Sequence, residues 1–285
     1  VLRFEIWTRL LLRILLTLLF VGLLVIALVR FAPGYGVDDR ELDPRFGAED
    51  VRSMRSGRPT VLVLAREYGW RTLRGDWGQS ELFGAPVAGL LAERWRVTLA
   101  SVAGGLAIAW AGAIAWAGFG ALWRPADWAG SAASFSLLSF PSGVLAAVLF
   151  LAGAPVSAGI GAVVFPQVYR YVRQLLLDAL SQPCISAAAA RGAGPWALLC
   201  RHARALIAPQ LLSLLGTSAA TAVGAAIPME AISGSPGLGQ IAWRAALGRD
   251  LALLLPLVLL MTVTIQLMSI ASEFLQTRGA WEKPA

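Results

Sequence analysis

The chain has 285 residues, 57% of them hydrophobic and only 14% charged, with a formal net charge of +7 and a mean hydropathy of +0.67. Soluble domains lie nearer roughly 45–50% apolar and 25% charged, so a soluble globular enzyme is excluded and an all-α, polytopic integral membrane protein is indicated. The basic balance does not indicate a nucleic-acid partner, because 23 of the 24 basic residues are arginines placed mostly at the ends of apolar runs, where positive charges set membrane topology.

Arg13 and Arg30 bracket 16 uncharged, mostly apolar residues, which reach a full span once the flanking arginines snorkel. The arginine-rich start and the "RFAPG" that follows also resemble a signal peptide. Cleavage would leave five spans and put the termini on opposite faces, so residues 1–31 read as an N-terminal tail and a retained first helix. Residues 32–96 are polar and charge-balanced, with turn signals at "APGYG" and "RGDWGQS". They read as a small, partly helical cap outside the membrane, too short and polar for an independent catalytic domain.

Residues 97–285 read as the core, with five further helices. Arg96 to Arg124 encloses 27 uncharged residues, and the small side chains from Ala100 to Gly120 suit close helix packing. Asp127 to Arg170 encloses 42 uncharged residues. One crossing needs about 20, and "AGAPVSAGIG" from Ala152 to Gly161 offers the break. Arg204 to Glu230 encloses 25 and Asp250 to Glu273 encloses 22. The expectation is six helices with both termini on one side. Arg3, Arg9 and Arg13, with Arg170, Arg173, Arg191, Arg201 and Arg204, place the termini and the fourth connection (181–209) in the cytoplasm.

The chemistry available is sparse. A phosphate-binding Walker loop needs a lysine at its end, and the one lysine is Lys283. Gradient-driven carriers place acids or histidine within the membrane, whereas the expected spans hold charges only at their ends. Gln167 and Gln266 read as helix–helix hydrogen bonds. Cys184, Cys200 and His202 do not make a metal site, and His202 reads as a solvated helix-face residue. No catalytic residue, metal or cofactor is expected on this chain.

The fourth connection stands out. In "SAAAARGAGPWALLCRHARALIAP" (Ser186 to Pro209), Ala187 to Ala190 form a helix-favouring run with little bulk. Gly192 and Gly194 break it, and Pro195 suits the first position of a second helix leading through Pro209 into the fifth span. Such a segment fits either an interfacial helix lying on the membrane or a surface that receives another protein. Ser186-Ala187-Ala188-x-x-x-Gly192 followed by "LLCRHARALIAP" resembles the EAA loop of ABC importer permeases, in the version of the dipeptide/oligopeptide/nickel permease family. Three further stretches resemble that family in order: "LRGDWGQS…PVAGLLAERWRVTL" (Leu73 to Leu99), "LLSFPSGVLAAVL" (Leu137 to Leu149) and "MEAISGSPGLGQ…GRD" (Met229 to Asp250).

The resemblance implies a binding-protein-dependent importer subunit in a bacterial-type inner membrane. It implies a second, similar permease, two cytoplasmic ATPases carrying ATP and Mg, and an extracytoplasmic solute-binding protein, with peptides or a nickel complex as cargo. It makes Ser186, Ala187, Ala188, Arg191, Gly192, Arg201 and Pro209 the ATPase-coupling segment. It places Asp76, Glu230, Pro236, Gly237, Gly239 and Asp250 on the binding-protein or vestibule side, with Glu230 read either as vestibule-lining or as an interfacial charge. Where the EAA signature has an acid this chain has Ser186, and Arg191 is the only charge before Gly192, so docking here rests on shape. The connection between the third and fourth spans is short for the family. Two alternatives remain: a non-transporting scaffold or receptor subunit with the permease fold, and a gradient-driven carrier.

Overall fold

The computed structural model describes residues 2–31 and 61–281. Residues 32–60 of the expected cap, Lys283 and the last residues lie outside the described residues. Within them the chain is helical, and its one extended pairing is a bridge between Gln79 and Pro86. The helices are α1 (Leu2–Phe31), α2 (Val61–Leu73), α3 (Val87–Leu122), α4 (Arg124–Ser139), α5 (Ser142–Leu151), α6 (Val156–Leu180) and α7 (Pro183–Ala190). They continue with α8 (Pro195–Ser233), α9 (Leu238–Gly248) and α10 (Leu251–Trp281). Within α8 the turn Leu198–Ala203 is π-helical.

Proline and glycine set the breaks. Phe140, preceding Pro141, is pushed to extended backbone (φ −93°, ψ 130°), and Pro141 has no N–H to continue a ladder. Helices α4 and α5 therefore meet at 106°. Gly153 (φ 72°) closes α5 in a Schellman turn, with its N–H donating to Phe150 O and that of Ala154 to Leu149 O. Pro155 then starts α6.

Among the described residues, four helices are long and apolar enough to cross a membrane: the Leu10–Phe31 part of α1, α3, α8 and the Leu251–Phe274 part of α10. Counting the bent α4–α5 pair as one span makes five. The sequence expectation of six took 128–169 as two crossings, but the chain divides that stretch among three helices. α6 gains Arg170, Arg173 and Asp178 in its second half, which lowers its apolar character. Its burial is compensation: Ile160, Val164, Val168 and Tyr169 are wholly buried against other helices of the chain, so α6 does not depend on lipid to shield it.

Two compact units are present. In the first (Val1–Glu93 with Ile241–Val263), Ile26 and Val29 of α1, Leu64 of α2, and Leu251 and Leu255 of α10 form one apolar cluster. In the second (Arg94–Gln240 with Thr264–Ala285), α6 packs against α4, α5 and α8, with Ala109 and Ala113 of α3 and Ala222 and Ala226 of α8 letting backbones approach. Polar groups add direction. Thr221 Oγ1 donates to Gln167 Oε1 at 2.9 Å, an α8–α6 bond of the kind expected for Gln167. Trp110 Nε1 donates to Ser218 Oγ at 3.1 Å, joining α3 to α8. Arg173 on α6 grips Asp127 on α4 through both Nε and Nη2, the bidentate geometry that makes Arg–carboxylate pairs strong.

Close approach of α3 and α6 depends on Gly105, where an added Cβ would meet Ile160 Cγ2 at 2.6 Å and Ser157 O at 3.0 Å. Gly105→Val is therefore expected to cost about 1–3 kcal/mol through overpacking, read as a lowered unfolding midpoint in detergent. An unchanged midpoint would show that the two helices separate freely.

Candidate functional site

Helix α7 is built as its composition dictates. Pro183 opens it, and alanines fill it. Gly192 (φ 88°) closes it in a Schellman turn, where its N–H donates to Ala189 O (2.9 Å) and that of Ala193 to Ala188 O (3.2 Å). Ile185 and Ala188 are buried, whereas Ser186, Ala187, Ala189, Ala190, Arg191 and Gly192 are exposed. The result is a short helix anchored by one face, with a smooth, small-residue surface on the other. Ala188 belongs to the anchoring face, so it is not available at the surface.

Pro195 begins α8, as its sequence position predicts. The six-residue π turn that follows, carrying Cys200, exposed Arg201 and half-buried His202, gave no sequence signal. His202 Nδ1 lies 3.3 Å from Ala197 O, a local contact. Pro209 is half-buried inside α8 without ending it.

The residues grouped on the vestibule side separate into three structures. Asp76 is exposed in a tight turn, with Oδ2 accepting from Arg71 Nε and Oδ1 from the Gly78 N–H, both at 3.1 Å. The Arg71 hydrogen bond, then the Gly78 N–H, hold its carboxyl below the ordinary value of 3.8. A cavity of about 120 Å³ beside it is bordered by Tyr68, Arg71, Thr72, Gln79 and Glu81.

Glu230 is wholly buried within its own chain. Its Oε2 accepts from the Gly239 N–H (2.7 Å) and from Thr98 Oγ1 (3.0 Å), and Thr98 Oγ1 in turn accepts from the Leu238 N–H (2.7 Å). The Ser233–Gly239 turn is thus folded onto a carboxylate. Gly237 and Gly239 are buried with it, and Pro236 is exposed. The glycines are steric requirements: a Cβ at Gly237 would run into the Glu230 carboxylate, and one at Gly239 would lie 2.7 Å from Ile227 Cα.

Asp250 is also buried, 2% exposed. It caps α10 by accepting the Leu253 N–H on Oδ1 at 3.1 Å, and its Oδ2 takes Ser80 Oγ and the Leu82 N–H. The Asp250 N–H donates to Ala245 O and closes a Schellman turn at the end of α9. In that turn Arg249 occupies the left-handed region (φ 54°) where glycine is usual. Thr98 and Ser80, which complete these two knots, drew no role from sequence because single hydroxyls carry no spacing signal.

Apolar helices stitched by internal hydrogen bonds, with membrane-crossing length in at least four of them, define a polytopic helical membrane protein. Residues 2–278 match the model of the binding-protein-dependent transport system inner membrane component family, and the chain belongs to that family of ABC transporter permeases. A segment of 81 residues, 28% of this chain, is 33% identical to a protein of Sinorhizobium fredii described as a probable peptide ABC transporter permease. The match spans 26% of that relative's length.

Two outcomes are expected from this geometry. Arg249→Gly relieves the left-handed conformation and raises stability by about 1 kcal/mol, read as a higher unfolding midpoint; a lower one would mean the arginine side chain makes the turn. Because the Asp76 carboxyl is held below its ordinary range, its turn keeps full strength at neutral pH and loosens only as pH falls through the lowered value. Hydrogen exchange at the Gly78 amide should accelerate there beyond the intrinsic pH trend, and in Asp76→Asn it should be fast throughout.

Proposed function

We propose that this chain is the membrane-spanning permease subunit of an ATP-driven importer, forming the translocation path for peptides or a similar small solute. The observation that carries the reading is the exposed face of α7, fixed by its Schellman turn and joined through Pro195 to a 39-residue membrane helix. Ser186, Ala187, Arg191 and Gly192 present a low, nearly uncharged ridge that seats in a groove of a cytoplasmic ATPase. α8 carries the displacement into the bilayer. ATP and Mg act on the ATPase subunits, while this chain and a second permease rock between inward- and outward-open states.

In this arrangement the chain contributes six spans, with α6 as the protein-shielded crossing, and both termini cytoplasmic. The turn around Glu230 and the Asp76 turn lie on the outer side, towards a solute-binding protein. Peptide cargo is supported by the printed description of the Sinorhizobium fredii relative, and selection rests with the binding protein, since charges are scarce along the spans.

The test is affinity purification from native membranes with mass spectrometry, repeated with Ala187→Arg, which adds bulk and charge to the exposed ridge and leaves the Gly192 turn intact. A Walker-containing ATPase should accompany the parent and fall at least about tenfold with the variant, a loss of about 1.4 kcal/mol in docking. Absence of any ATPase from the parent would falsify the permease reading.

A further inference from the structure

Among the described residues, two buried side-chain atoms lack any hydrogen-bond partner: Arg94 Nε and Glu230 Oε1. One is an obligate donor on a cation, the other an acceptor on a carboxylate. Their placement is related. Thr98, which donates to Glu230 Oε2, lies four residues after Arg94 on α3. Residues at that spacing share a helix face, with Cβ atoms about 5–6 Å apart. In this structure Glu230 is served by Thr98 and Gly239 on Oε2 alone, while the arginine one turn away leaves its own N–H unmatched.

We propose that Arg94 and Glu230 form an ion pair in the other conformation of the transport cycle, so that α3 and α8 have two registers, one latched by Thr98 and one by Arg94. The inference rests on the permease reading given above. Side chains on a helix lean towards its N-terminus, which directs Arg94 away from Thr98 in the present register. A full-turn slide of α3 along α8, about 5.4 Å, would put Arg94 where Thr98 now stands. Arginine is much longer than threonine, so a smaller slide suffices. The bare atoms bias the present state towards leaving it, and pairing rewards arrival in the other. No covalent step is involved.

The experiment uses the complete complex, this chain with its second permease, two ATPases and binding protein, in lipid nanodiscs, with Mg-ATP as the probe. Binding-protein-stimulated ATP hydrolysis is measured for Arg94→Gln, Glu230→Gln and the double variant. Glu230→Gln keeps an oxygen for Gly239 and Thr98, so the knot still folds. Each single change should lower stimulated hydrolysis about tenfold, and the double change should be no worse than the poorer single. Multiplying losses, or singles without effect, overturn the pair.

A second measurement reads the two registers directly. Arg94→Cys with Glu230→Cys, with Cys184 and Cys200 changed to serine, is treated with a short dithiol-specific cross-linker without nucleotide and after Mg-ATP–vanadate trapping. Cross-linking in one state only supports two registers; equal yield in both states overturns them. If the parent complex shows no stimulated hydrolysis, the permease reading falls and the pair with it. If the parent is active but the cycle is additive, the pair alone falls.

Discussion

A carboxylate that loses its water must find donors within its own chain, and this constraint organises both units. Unpaired burial of such a group costs several kcal/mol, so each of the two acids buried among the described residues gathers donors from distant positions. Glu230 collects the Gly239 N–H and Thr98, 132 residues away. Asp250 collects Ser80 and the Leu82 N–H across about 170 residues, besides capping its own helix. Apolar helices in lipid gain little from hydrophobic burial against one another, because lipid tails are as apolar as leucine. Directional bonds of this kind therefore decide which helix ends meet.

Within the second unit, packing follows from small residues. Alanines on α3 and α8 let backbones approach α6, and Gly105 and Gly216 stand where a methyl group has no room. Tyr169 and the Arg173–Asp127 pair fix α4 against the same helix. α6 can thus be the least lipid-like long helix and still the most enclosed. Its charges sit where other helices cover the apolar half and leave the end free.

Much of this was legible in sequence, for identifiable reasons. Pro195, Gly192 and the Ala run announced α7 and the start of α8 because capping chemistry is local. The charge-free intervals found the long apolar helices, because hydropathy is summed over many residues. The bend at Pro141 was passed over, since a proline inside an apolar run signals either a kink or a stop. The burial of Glu230 and Asp250 is not legible, because a charge near a span end looks the same whether it faces water or its own chain. Only the folded position of Thr98 and Ser80 separates those cases. The match to the family model over 2–278 agrees with the four stretches that carried the resemblance.

The π turn at Leu198–Ala203 has a consequence for how the segment before it is aimed. An ordinary α-helix advances about 100° per residue, and a turn bonded i to i+5 takes up one residue more than its neighbours. The start of α8 before it, Pro195 to Ala197, is therefore set out of phase with the rest of the helix by about one residue's rotation. The direction from which the Gly192–Gly194 link enters α8 is thus set by a single surplus residue, so a one-residue deletion there would alter bearing more than length.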